Sequence, residues 1–95
     1  MKNVNLSLQV IPVNISDSYP IIDEAIRVIQ DSGIKHRVTP FSTVMEGSMN
    51  EVMQVVEKAK DASFKAGADE LVLNIQVHMK KDKNVSMEEK TGKFE

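Results

Sequence analysis

One succession of patterns occurs twice in this chain, and it limits the possible folds more than any other feature. An alternating stretch, a helical stripe, a glycine and a second alternating stretch run from Val4 to Thr39. From Thr43 onward a strand, a stripe, a glycine and a strand follow again. In the first half, Leu6, Leu8 and Val10 alternate with Asn5, Ser7 and Gln9 between Val4 and Ile11. That is the period of a strand with one apolar and one polar face. "NISDSYP" reads as a turn and helix start. Asp17 or Ser18 can cap, and Pro20 suits a first turn, where its missing N–H has no intrahelical partner. Ile22, Ala25, Ile26 and Ile29 then make an amphipathic stripe. Gly33 stands where a left-handed C-terminal cap belongs, and Ile34–Thr39 follows as a second strand.

In the second half, Thr43–Glu46 reads as a returning strand. Pro40 cannot donate to a ladder, so the Ile34–Thr39 strand belongs at a sheet edge or at the hairpin itself. "SMNE", Ser48 to Glu51, is a capping box, in which the hydroxyl and the carboxylate each satisfy a free backbone N–H. Val52, Val55, Val56, Ala59 and Ala66 form the second stripe, stopped by Gly67. Leu71, Leu73, Ile75, Val77 and Met79 alternate with Val72, Asn74, Gln76 and His78, the clearest strand in the chain. In the charged tail, "SMEE" is suited to cap a short terminal helix.

The order is βαββαβ. Right-handed crossovers arrange two such halves as an α+β, ferredoxin-like split βαβ sandwich, here a single domain over residues 1–95. The expected sheet is antiparallel, in the order 4-1-3-2, with both helices on one face. Its second face would carry Asn5, Ser7, Gln9, Asn74, Gln76 and His78, together with Val72 and Met45. Simple solvation explains that face. So does a moderately polar subunit interface in a homodimer or homotetramer, which a small aliphatic core would favour.

Composition removes several classes of function. The chain has no cysteine, so disulfides, thiolate nucleophiles and Cys-based zinc sites are out. A net charge of −2 leaves no electrostatic footprint for nucleic acid, and Lys80, Lys81 and Lys83 read as a solvated strand end. No run reaches the ~20 apolar residues of a membrane span. The first residues lack the apolar stretch of a signal peptide, so a soluble, cytoplasmic protein is expected. His36 and His78 have no carboxylates at ligand spacing, so no metal site is expected.

"TPFSTVMEG", Thr39 to Gly47, is the segment with most chemistry. As pure structure, Pro40 sets a turn, Ser42 and Thr43 satisfy local backbone groups, and Gly47 leads into the helix cap. If Val38 and Val44 both point at the helices, period two places His36, Ser42 and Glu46 on that side too. An inward carboxylate with no inward Lys or Arg would call for a cationic or amine-bearing ligand.

The segments "NLSLQVIPV", "SGIKHRVTPFSTVMEG", "ADELVLNIQV" and "SMEEK" resemble the thiamine-binding protein family, small ferredoxin-like proteins formerly grouped as uncharacterised. Pro40, Thr43 and the pair Glu46-Gly47 are the most specific part of the likeness. The resemblance implies dimers or tetramers that bind thiamine or its hydroxymethylpyrimidine moiety as a ligand, with no other cofactor. Binding without turnover is expected because nothing in the sequence supplies an acid–base pair poised for catalysis. The resemblance also implies ligand contacts from Ser42, Thr43 and Glu46, with Phe41 and His36 as neighbours. Glu46 would meet the exocyclic amine or the thiazolium, and the hydroxyls would serve as adaptable donors and acceptors. Phe41 would either stack on a ring or plug the hairpin end. Two alternatives stand beside this: a small oligomeric enzyme with His36 as base and Glu46 as acid, and a purely structural oligomerisation module.

Overall fold

A computed structural model describes residues 2–95. β1 (Asn3–Pro12) is followed by α1 (Tyr19–Asp31), β2 (Lys35–Val38), β3 (Thr43–Ser48), α2 (Met49–Lys65), β4 (Leu71–His78) and a short α3 (Met87–Thr91). The sheet order is β2-β3-β1-β4, the expected order read from the other edge, and every neighbouring pair is antiparallel. The ferredoxin-like sandwich is therefore the fold, with β1 and β3 in the centre.

The helix-side core follows from the alternation in β1. Val4, Leu6 and Leu8 are buried against Ala25 and Ile29 of α1 and Val52, Val55, Val56 and Ala59 of α2. The α1 stripe is turned slightly from the expected one: Ile21, Ala25 and Ile29 are buried, while Ile22 and Ile26 are half-buried. In α2 the stripe continues through Ser63 rather than Ala66, which caps the helix end in the open. A hydroxyl is tolerated there because Ser63 Oγ donates to the Ala59 carbonyl at 2.8 Å.

Helix ends follow the local signals. Ser48 Oγ accepts the Glu51 N–H at 3.2 Å and the Glu51 carboxylate accepts the Ser48 N–H at 3.0 Å. Ser86 and Glu89 repeat the same box at the start of α3. At α1, Ser18 occupies the cap without a side-chain bond, and Asp17 accepts the Tyr19 N–H at 3.2 Å instead. Gly33 takes φ +75°, the left-handed turn that ends α1 and feeds β2.

The β2–β3 hairpin departs from expectation. Val38 pairs with Thr43, and His36 with Met45. The loop is closed by the Thr39 N–H donating to the Ser42 carbonyl at 2.8 Å, with the Thr39 hydroxyl donating to the same oxygen at 2.7 Å. This register puts Thr43, Met45 and Gly47 on the helix side and Val44 and Glu46 on the other. Met45 is thus a fully buried core residue opposite Leu6, not a member of the second face. Val44 lies there instead, opposite Ser7.

The second face is open only in part. The chain after β4 folds back over its Asn5 end, where the Val85 N–H donates to the Asn3 carbonyl at 3.0 Å. Asn5 Nδ2 donates to the Val85 carbonyl at 3.1 Å. Val85 and Met87 are buried in this cover, which buries Asn5 as well. Beyond it lie Ser7, Gln9, Asn74 and Gln76, with Asn74 Nδ2 donating to Gln9 Oε1 at 3.2 Å.

Candidate functional site

The tight hairpin turn delivers three of the five candidate residues to one place. Phe41, Ser42 and Thr43 line a cleft of about 220 Å³ between the hairpin and α1, with Tyr19 at the helix start and Thr39 at the turn. Its apolar wall comes from Leu8, Ala25 and Ile29. Phe41 and Tyr19 are 81% and 74% exposed, so two aromatic rings stand free at the mouth, whereas Thr43 is buried inside. Thr39 is committed to the turn, since its Oγ1 accepts the Ser42 N–H at 3.1 Å while donating to the Ser42 carbonyl. No charged side chain lines this cleft among the described residues. Such a wall suits a flat, neutral heteroaromatic ring with hydrogen-bonding edges. The sequence offered Tyr19 only as a residue beside a helix-starting proline, so its role at the cleft was not anticipated.

Glu46 lies elsewhere. It sits on the second face opposite Asn5 and Lys35, beneath α3. Its Oε1 accepts the Met87 N–H at 2.7 Å, and its Oε2 lies 3.5 Å from Lys35 Nζ. The expectation of an inward carboxylate without a cation is overturned on both counts, and the hairpin register is the cause. Lys35 also pairs with Glu88 at 2.6 Å. The Glu88 hydrogen bond lifts the Lys35 pKa above its ordinary value; desolvation opposes the rise, and the charges of Glu46 and Glu88 add to it. In return Lys35 holds the Glu88 carboxyl below the usual range.

His36 is on the helix side, as expected, but away from the cleft. Its Nδ1 lies 2.8 Å from the Ile34 carbonyl oxygen, a placement that favours a proton on Nδ1. Because His36 pairs with Met45 while Lys35 pairs with Glu46, the imidazole and the carboxylate occupy opposite faces of the sheet. They do not converge on one substrate.

A larger cavity of about 600 Å³ opens on the second face beside α3, lined by Asn5, Ser7, Arg37, Gln76, His78 and Lys90 among others. Arg37 is held there by Thr91, whose Oγ1 accepts from Nη1 at 2.9 Å, and by Glu95, 2.7 Å from Nη2. Among the described residues, Asn5 Oδ1 is buried without a hydrogen-bond partner. Among the described residues no three His, Asp or Glu side chains cluster to hold a metal ion, and no helix is long and apolar enough to cross a membrane.

Comparisons with known proteins bear on the whole chain. A family model described as thiamine-binding protein matches residues 6–95. A UPF0045 protein of Clostridium perfringens is 33% identical over 99% of both chains. Among solved structures, a domain of unknown function from Bacillus cereus superposes with a TM-score of 0.92 at 33% identity, covering 99% of this chain and 91% of that one. A Thermotoga maritima protein described as a candidate thiamine biosynthesis/salvage protein gives a TM-score of 0.88 at 29% identity, covering 98% of this chain and 99% of the other.

Proposed function

Because this chain belongs to the thiamine-binding protein family, we propose that it binds thiamine or its hydroxymethylpyrimidine half in the cleft between α1 and the β2–β3 hairpin. The observation that carries this reading is the convergence of Phe41, Ser42 and the buried Thr43 on one uncharged cleft. Aminopyrimidine presents an exocyclic amine and ring nitrogens, which the hydroxyls of Thr43 and Ser42 can answer as donors or acceptors. The apolar wall takes the ring faces.

Size and charge argue for the pyrimidine end inside. A volume of about 220 Å³ falls below the ~300–1,000 Å³ of pockets that enclose drug-sized ligands, so one ring fits and the other stays at the mouth. The lining holds no carboxylate to offset a thiazolium. Outside, the cation meets the π-faces of Phe41 and Tyr19.

Binding without turnover is the proposed activity, as a cytoplasmic carrier, buffer or sensor working as a homodimer or homotetramer. The separation of His36 from Glu46 across the sheet supports it over an acid–base enzyme using that pair. The test is calorimetric titration with thiamine and with hydroxymethylpyrimidine, followed by chromatography of the recovered ligand. Both should bind and return intact, and Thr43→Val should weaken both about tenfold, the loss of one hydrogen bond. Absence of binding by either ligand overturns the proposal, and a consumed ligand restores the enzyme reading.

A further inference from the structure

Strand register on the second face sets two rows of side chains next to each other. Lys35, Glu46, Asn5 and His78 form one row, and Arg37, Val44, Ser7 and Gln76 form the other. The returning tail covers the first row through the bonds that Asn5 and Glu46 make to Val85 and Met87. The cavity of about 600 Å³ is walled by the whole second row and by Met87, Lys90 and Thr91 of that cover. Its volume lies within the ~300–1,000 Å³ of pockets that hold small organic ligands.

Charge is unevenly shared there. The chain as a whole carries a net charge of −2, yet Arg37, His78 and Lys90 line this cavity and, among the described residues, no carboxylate does. The carboxylates close by are already paired: Glu46 and Glu88 with Lys35, Glu89 with Lys80, and Glu95 with Arg37. Lys90 enters none of the ion pairs among the described residues. Arg37 spends one bond on Thr91 and one on Glu95, and a guanidinium has further N–H groups to give. Asn5 adds an independent requirement. It lines the cavity, is 4% exposed and gives its Nδ2 to the Val85 carbonyl, while its buried Oδ1 lacks a donor among the described residues. A buried acceptor of that kind calls for an N–H or O–H.

We propose that this cavity is a second binding site, for a small organic oxyanion that also carries a hydroxyl or amine. The oxyanion is a carboxylate or a phosphate ester. Arg37 and Lys90 hold it by charge-assisted hydrogen bonds, Arg37 through its planar fork. Asn5 Oδ1 takes the ligand's own N–H or O–H, and Ser7, Gln76 and His78 offer donors and acceptors around it. Val44 and Met87 give the organic body an apolar surface. The site is separate from the hairpin cleft and opposite to it in preference, because two cations repel a thiazolium. Its walls come from both the sheet and α3, so an occupant ties the tail to the sheet.

Amide and side-chain NMR of the full chain tests this with four probes: glycerol phosphate, glycolate, acetate and uncharged glycerol. Glycerol phosphate and glycolate should shift the Asn5, Ser7 and Arg37 signals with dissociation constants of about 1 mM or below. The tighter of the two identifies the headgroup. Acetate, which lacks the donor, should bind about fivefold more weakly than glycolate, the loss of one hydrogen bond. Glycerol should not bind. Lys90→Glu should weaken both anions about tenfold or more. Lys58→Glu, the same change of charge on the exposed side of α2, should leave them unaffected. Hydrogen exchange across α3 should slow when either anion is bound. No shift at Asn5, Ser7 or Arg37 up to about 20 mM of either anion overturns the proposal. So does glycerol binding as well as glycerol phosphate, or equal losses in Lys90→Glu and Lys58→Glu. Glycolate and acetate binding equally would overturn the role of Asn5. Thiamine binding is read at Phe41, Ser42 and Thr43, so either site can fail without the other.

Discussion

The Glu46 carboxylate accepts the backbone N–H of Met87 at 2.7 Å, so a side chain on a central strand holds the first turn of the C-terminal helix. The residue is 10% exposed at its side chain and has Lys35 beside its other oxygen. This pair turns the tail into a cover for half of the sheet's second face. It also gives a structural role to Glu46, a residue expected from the sequence to contact a ligand.

Glu46→Gln keeps an acceptor for Met87 and removes the attraction to Lys35, so stability should fall by about 0.5–1 kcal/mol. Glu46→Ala leaves the partly buried N–H unpaired and should cost about 1–3 kcal/mol. Urea unfolding measures both. Thiamine affinity should not change in either variant, since Glu46 does not line the hairpin cleft. A clear loss of affinity in a stably folded Glu46→Gln protein would move the site to the second face.

The α3 attachment should depend on pH. Lys35 holds the Glu88 carboxyl below its ordinary 4.5, and Lys80 together with the Ser86 N–H does the same for Glu89. A carboxyl depressed in the folded state adds stability above its unfolded pKa and loses it as pH falls through the folded value. Lys35, lifted above 10.5 chiefly by Glu88, contributes below that pH and stops contributing as pH rises through its folded value. The tail should therefore be held equally well from 4.5 to 10.5 by these groups and loosen outside that range. Carboxyl titration by NMR checks the cause: Lys35→Ala should raise the Glu88 pKa. Both partners are exposed, so the effect on global stability is small.

Phe41→Ala should separate the two halves of the ligand. If the thiazolium rests on the exposed ring, thiamine binding weakens by about 0.5–1 kcal/mol, several-fold in affinity. Hydroxymethylpyrimidine, which lacks the cation, should lose less. The melting temperature should stay constant because Phe41 is 81% exposed. Equal losses for both ligands would place the pyrimidine, not the thiazolium, against Phe41.

Gly47 lets α2 start close to the sheet. A Cβ there would lie 3.3 Å from Ile34 Cδ1 and 3.5 Å from Glu51 Oε1, the carboxylate of the capping box. Gly47→Ala should destabilise the fold by about 1 kcal/mol, the low end of overpacking, since the Ile34 side chain can give way. Thermal unfolding measures it, and Gly47→Ala combined with Ile34→Val should recover part of the loss. No recovery would mean that the strain lies in the cap.

Features decided by neighbours along the chain were legible in the sequence. The alternation of Leu6, Leu8 and Val10 with Ser7 and Gln9, the α2 stripe, the capping boxes at Ser48 and Ser86 and the glycine after α1 each depend on spacings of two to four residues. Together with right-handed crossovers they determined the element order and the sheet order. They also placed Phe41, Ser42 and Thr43 at a hairpin end.

What they could not determine was which side of β3 turns inward. Val44 and Met45 are both apolar, so a period of two allows either, and the hairpin register makes the choice. By pairing Val38 with Thr43, the closed Thr39–Ser42 turn sends Met45 to the core and Glu46 to the far face. The partner awaiting Glu46 there is a backbone N–H 41 positions away. No local spacing encodes that meeting, because it exists only once the tail has crossed the finished sheet.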